Sequence, residues 1–125
     1  MKAIHTDNAP KALGPYSQAI KAGNMVFCSG QVPINPETNN FVEGGIKEQT
    51  RLSLLNAQNI LRQAGLELSN VVKTTVFLSD MNDFVAMNEV YAEFFSMPYP
   101  ARSAVTVKTL PKNALVEIEC IAVAE

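Results

Sequence analysis

The chain has 125 residues, 47% hydrophobic and 18% charged, with a formal net charge of −2. These values describe one globular domain over residues 1–125, not a disordered polymer. The ten Lys and Arg residues are scattered instead of forming a stripe, which argues against nucleic acid as a partner. No apolar run approaches the roughly 18 residues of a membrane span, and "MKAIHTDNAP" lacks a signal-type apolar stretch. The expectation is a cytoplasmic chain with no membrane partner.

In chain order, "KAIHT" is a short first strand. "YSQAIKAG" and "MVFCSGQV" flank Gly23 and Asn24 as a hairpin, with Tyr16 beginning its first strand. "PINPETNNFVEGG" is rich in turn formers and reads as a loop. From Ile46 to about Ala64 the period becomes helical: Leu54, Ala57, Leu61 and Ala64 share a face, Ile60 flanks it, and Gly65 suits the position past the end. "NVVKTTVFLSD" alternates as a strand, with Val72, Thr74, Val76 and Leu78 on one face. Asp80 or Asn82 caps a second helix with the stripe Phe84, Met87, Tyr91, Phe94 and Phe95, which "SMPYP" terminates. Two last strands, about Arg102–Lys108 and Leu115–Val123, are joined by "TLPKNA". Met25, Met81, Met87 and Met97 read as core filling.

The order β-β-β-α-β-α-β-β predicts an α+β fold: a mixed sheet with both helices on one face. A hairpin between the last strands, with Thr106 opposite Leu115, sets Arg102 opposite Glu119 on the face away from the helices. That second face is half apolar. A homo-oligomer that packs such faces together is the simplest way to remove it from water.

Cys28 and Cys120 lie in apolar segments, as reduced buried thiols do. His5 is the only histidine, reads as a surface residue, and has no second ligand at a recognisable spacing. No metal site and no cofactor are expected, and a Ser-His or Cys-His nucleophile is excluded.

Arg102 is the residue that the pattern leaves unexplained, because a guanidinium stays charged and has five donors but no acceptor. An edge salt bridge, contributing about 0–1 kcal/mol, competes with a pocket for a carboxylate held by two parallel hydrogen bonds. In that pocket a glutamate that is partly buried beside the arginine, the place the register gives Glu119, suits proton transfer near neutrality. Tyr16 in "GPYSQA" is either a core tyrosine with a wet tip or a pocket hydroxyl. Ser29 and Gly30 in "CSGQ" make either a plain turn or an anion-holding backbone. Asn88 beside the second helix's stripe points either to solvent or to the sheet.

Taken together and in order, "GPYSQAI", "FCSGQVP", "IKEQT", "VFLSDMNDF", "NEVYAEFF", "PARSAVTV" and "LPKNALVEIECIAV" resemble the reactive intermediate deaminase family, specifically its RidA-like branch. The resemblance runs from about residue 3 to the C-terminus. It implies a chorismate-mutase-like fold and a homotrimer whose sheets form a central barrel, with ligand sites between subunits. It also implies hydrolysis of 2-imino and enamino acids to 2-keto acids and ammonia. By motif, Arg102 corresponds to a carboxylate anchor, Glu119 to the group that orients water, and Tyr16 to a hydroxyl near the reacting centre. Ser29, Gly30, Asn88 and Ala104 correspond to pocket lining. Ala104 stands where the family often has cysteine, which argues against a thiol nucleophile and leaves room for a backbone role.

Overall fold

The computed structural model describes residues 1–125 and shows the expected order of elements. Strands β1 (Lys2–Ile4), β2 (Ala19–Ala22) and β3 (Met25–Gln31) precede helix α1 (Ile46–Gln63). Strand β4 (Val71–Leu78), helix α2 (Phe84–Phe94), β5 (Ala101–Thr106) and β6 (Val116–Val123) follow. The strands form one mixed sheet in the order β1-β2-β3-β6-β4-β5.

Local chemistry sets the boundaries. Gly23 at φ +62° makes the two-residue turn between the paired Ala22 and Met25. Helix α1 ends where Gly65 takes φ +79° and the Leu66 N–H reaches back to the Leu61 carbonyl at 2.9 Å. Asp80 accepts a hydrogen bond from the Asn82 N–H and caps the 3-10 turn Met81–Asp83 that leads into α2. Leu54, Ile60 and Leu61 from α1 and Met87 from α2 are fully buried against Val26, Val76, Leu78, Val116 and Ile118 of the sheet. Each large side chain so buried contributes about 1.5–3 kcal/mol. Of the methionines, only Met87 belongs to this core; Met81 and Met97 are exposed.

Three expectations are corrected. First, β5 and β6 are not a hairpin. β5 pairs parallel with β4, Thr74 beside Arg102, and β6 lies between β3 and β4, antiparallel to both. The β4-α2-β5 crossover takes the adjacent parallel place, so the chain must return past β4 to reach β6. It does so through Val107–Leu115, which contains the 3-10 turn Pro111–Asn113.

Second, the register irregularity between Val71 and Lys73 turns Val71 into the core and leaves Val72 exposed. Third, Tyr16 precedes β2 instead of opening it. It stands in the turn after Gly14 and is exposed.

Candidate functional site

Register fixes the side of the sheet on which each candidate lies. Cys28, Cys120, Thr74 and Arg102 form one row across β3, β6, β4 and β5. Cys28, Cys120 and Thr74 are buried beneath the helices. The Arg102 side chain is therefore on the helix side, not on the open face that the hairpin register implied. Glu119 is paired with Thr75, itself beside Ser103, and so has the opposite parity; on that open face it is exposed in the single chain instead of partly buried. Within one chain, the structure does not bring Arg102 and Glu119 together.

Arg102 lies in a cleft of about 460 Å³ between α2 and the start of β5, lined by Asn88, Tyr91, Ala92, Tyr99 and Pro100. Its Nη1 donates to Asn88 Oδ1 at 2.6 Å. Its Cζ lies 4.8 Å from the Tyr91 ring centre and 5.5 Å from that of Phe84, distances at which aromatic faces attract a cation. Tyr91 in turn shares a buried 2.7 Å hydrogen bond with Thr74 Oγ1. Burial raises the Tyr91 pKa and outweighs the lowering effects of Thr74 and the Arg102 charge, so the phenol stays neutral. Arg51 and Arg62 are paired with Glu93 and Glu67, whereas none of the ion pairs includes Arg102. A partly enclosed guanidinium thus has one neutral acceptor and unused donors.

Ala104 is adjacent on β5, an edge strand. The Val107 N–H donates to the Leu78 carbonyl. By strand alternation, the N–H and C=O groups of Arg102 and Ala104 then face the free edge, away from β4.

The remaining candidates lie elsewhere. β6 and β4 separate β3 from β5, about 14 Å at normal strand spacing. On β3, Ser29 Oγ donates to the Ser17 carbonyl at 2.6 Å, tying down the loop before β2. Gly30 lies under Glu117: a Cβ built there would stand 2.8 Å from the Glu117 carboxyl carbon. Burial, followed by the charge of Glu119, raises the Glu117 pKa above the usual carboxylate value. The Tyr16 hydroxyl accepts from the Leu13 N–H at 3.3 Å and borders a separate cleft with Pro10, Val32 and Ile34. No three His, Cys, Asp or Glu side chains gather as a metal site would require.

Phe84, Thr74, Tyr91, Tyr99 and Glu117 were not among the sequence candidates. The spacing 84, 88, 91 put Phe84, Asn88 and Tyr91 on one helix face, but two aromatics in a stripe read as core. Only the β4–β5 register reveals that the stripe ends beneath an arginine.

A six-stranded mixed sheet covered on one face by two helices defines the chorismate-mutase-like class of folds. Residues 6–124 match the family described as Endoribonuclease L-PSP. A RutC family protein of Pyrococcus horikoshii is 58% identical over 124 residues, 99% of this chain and 98% of that protein. A 2-iminobutanoate/2-iminopropanoate deaminase of Dermatophagoides farinae is 46% identical over 124 residues, 99% of this chain and 97% of that protein. The crystal structure of RidA from an Antarctic Psychrobacter has a TM-score of 0.95 at 47% identity, covering 99% of this chain and all of that one. The chain belongs to the Endoribonuclease L-PSP family, among its RutC and RidA-type members.

Proposed function

We propose that this protein hydrolyses 2-imino and enamino acids, such as 2-iminobutanoate and 2-iminopropanoate, to 2-keto acids and ammonia. The observation that carries this reading is Arg102, an arginine free of any carboxylate, steadied by Asn88 and two aromatic rings at a cleft. A small carboxylate supplies the planar, bidentate acceptor that this guanidinium lacks. The deaminase named among the relatives supports the choice of substrate class.

Arg102 holds the carboxylate and so fixes the imine carbon, which is electrophilic once its nitrogen is protonated. Glu119 accepts a proton from water as the water adds to that carbon. In the tetrahedral adduct the carbon–nitrogen bond then breaks, and nitrogen leaves as ammonia after regaining a proton, with the Tyr16 hydroxyl as relay. Overall, one water and one iminium acid give one keto acid and one ammonium ion. No step needs a cofactor.

The scheme requires groups that one chain holds apart, so the site is shared between copies. One copy supplies Arg102, Asn88 and the free backbone edge at Ala104. Its neighbour supplies Glu119, Tyr16 and the Ser29–Gly30 segment. A homotrimer, with open sheet faces turned inward as a barrel, brings these together. The family description names ribonuclease activity, but a net charge of −2 and scattered Lys and Arg residues offer no basic track for a phosphodiester chain. A module that binds 2-keto acids without turnover would use the same anchor; decay of the imine in a coupled threonine dehydratase assay distinguishes the two.

The test is complementation. Arg102→Ala and Glu119→Gln are each expected to be inactive. If neighbouring copies supply the two groups, trimers re-formed from an equimolar mixture recover about a quarter of wild-type activity, because half the anchors meet half the intact glutamates. Retained activity in Arg102→Ala removes the anchor. Inactive single variants without recovery on mixing remove the shared site.

A further inference from the structure

We infer that Tyr91, through its hydrogen bond to Thr74, is a positioning residue that sets the orientation of the Arg102 guanidinium. This rests on the reading of Arg102 as a carboxylate anchor.

The contacts form a closed ring. Arg102 is adjacent to Thr74 in the β4–β5 ladder. Thr74 is hydrogen-bonded to Tyr91 at 2.7 Å, and the Tyr91 ring returns beneath the Arg102 guanidinium at 4.8 Å. The tyrosine is held at two further points. Its ring packs against Phe95 with centroids 4.6 Å apart, and its backbone belongs to the helix that presents Asn88 one turn earlier. Strand, helix and ring therefore determine one position for the arginine head.

This fixation matters because arginine carries several rotatable bonds on an edge strand, and ordering such a side chain upon ligand binding costs free energy. Asn88 alone would pin a single nitrogen and permit rotation about that contact. The Tyr91 ring, with its centre 4.8 Å from Cζ, restricts this freedom while Nη2 and Nε stay uncommitted, since Nη1 makes the one protein hydrogen bond of the group. Two free, coplanar donors are the geometry that a carboxylate accepts.

The Tyr91 hydroxyl is too far inside to do chemistry. Tyr91 is 6% exposed and Thr74 1%, so their bond faces the core while the ring's other surface lies in the cleft. The pair thus acts on substrate only through Arg102. It belongs with the anchor, not with the groups that move protons.

The experiment compares 2-oxobutanoate with its neutral amide by isothermal titration, on wild type, Arg102→Ala, Tyr91→Phe, Thr74→Val and the double variant, alongside KM and kcat for the imine. Tyr91→Phe keeps the ring and loses only the hydroxyl; Thr74→Val is nearly isosteric. Each is expected to weaken 2-oxobutanoate binding and raise KM about three- to tenfold, the usual worth of one such hydrogen bond. Binding of the amide and kcat should stay near wild type, and the double variant should be no weaker than either single one, because one bond is lost in all three. Circular dichroism and oligomeric mass check the fold. If Arg102→Ala loses 2-oxobutanoate but the two hydroxyl variants bind it as wild type does, the positioning role is overturned while the anchor stands. If both ligands weaken equally, Tyr91 and Thr74 are only structural. If Arg102→Ala binds normally, the anchor itself fails.

Discussion

Arg102 donates to Asn88 at 2.6 Å and has no carboxylate partner. Asn88 supplies an acceptor without supplying a charge, so it orients the guanidinium and leaves its positive potential available. Asn88→Asp is the informative substitution: nearly the same shape, but with a carboxylate that satisfies the arginine from within. Affinity for 2-oxobutanoate is expected to fall tenfold or more, on the order of the 1.5–3 kcal/mol of a charge-assisted hydrogen bond. Asn88→Ala, which loses the guide but adds no competitor, should bind more tightly than Asn88→Asp. Titration calorimetry on both variants checks this, and equal losses would show that charge at position 88 is immaterial.

The elements were legible in the sequence, and their pairing was not. Alternation at Thr74, Val76 and Leu78 and the helical stripes of α1 and α2 follow from which side chains must be buried, which is local information. The place of β6 between β3 and β4 follows from a competition among whole strands. β5, delivered by the α2 crossover, takes the parallel position beside β4, and the "TLPKNA" turn yields to that packing. This one misplacement moved Arg102 to the wrong face. The loss of Val72 from the inward row has a different cause, an extra residue opposite β6 that alternation cannot register. Within the candidate site, the structure brings Arg102 and Asn88 together. Tyr91 was hidden because an aromatic at helical spacing has the same signature whether it faces only core or also an arginine. Glu117 carries no signal of its own in the sequence, although the smallness of Gly30 beneath it makes room for its side chain.

Glu117 also gives a pH test. It lies in a row with Phe77 and Val105 on the open face, and burial followed by the Glu119 charge raises its pKa above the ordinary 4.5. A raised carboxylate pKa means that the fold favours the protonated form. The cost of ionising Glu117 is therefore fully present above its folded-state pKa, declines as pH falls through the window between that value and 4.5, and is gone below 4.5. Glu117→Gln, neutral throughout, should raise the melting temperature by about 1–3 °C at pH 7, a small effect because the group is partly solvated. The advantage should vanish at pH 4. Thermal melts at the two pH values decide it, and a gain that persists at pH 4 would assign the effect to packing instead of charge.

The open sheet face supplies the last test. Val105 is 43% exposed and Phe27 42%, and Phe27 faces Ile121 across the β3–β6 ladder. Val105 stands on the edge strand that carries Arg102, on the side turned away from the anchor. Val105→Lys puts a charge where the proposed trimer turns its faces inward, while leaving the core and the Arg102 cleft untouched. Lysine is well tolerated on a solvated edge, so the separate chain should still fold, and surface substitutions of this kind usually change stability by about 0.5 kcal/mol or less. Sedimentation velocity is expected to show a shift from three chains to one, with native circular dichroism and loss of imine hydrolysis. The loss follows because each anchor would be deprived of its neighbour's Glu119. A monomer that still turns over would place both groups in a single chain, and a fully active trimer would move the interface away from Val105.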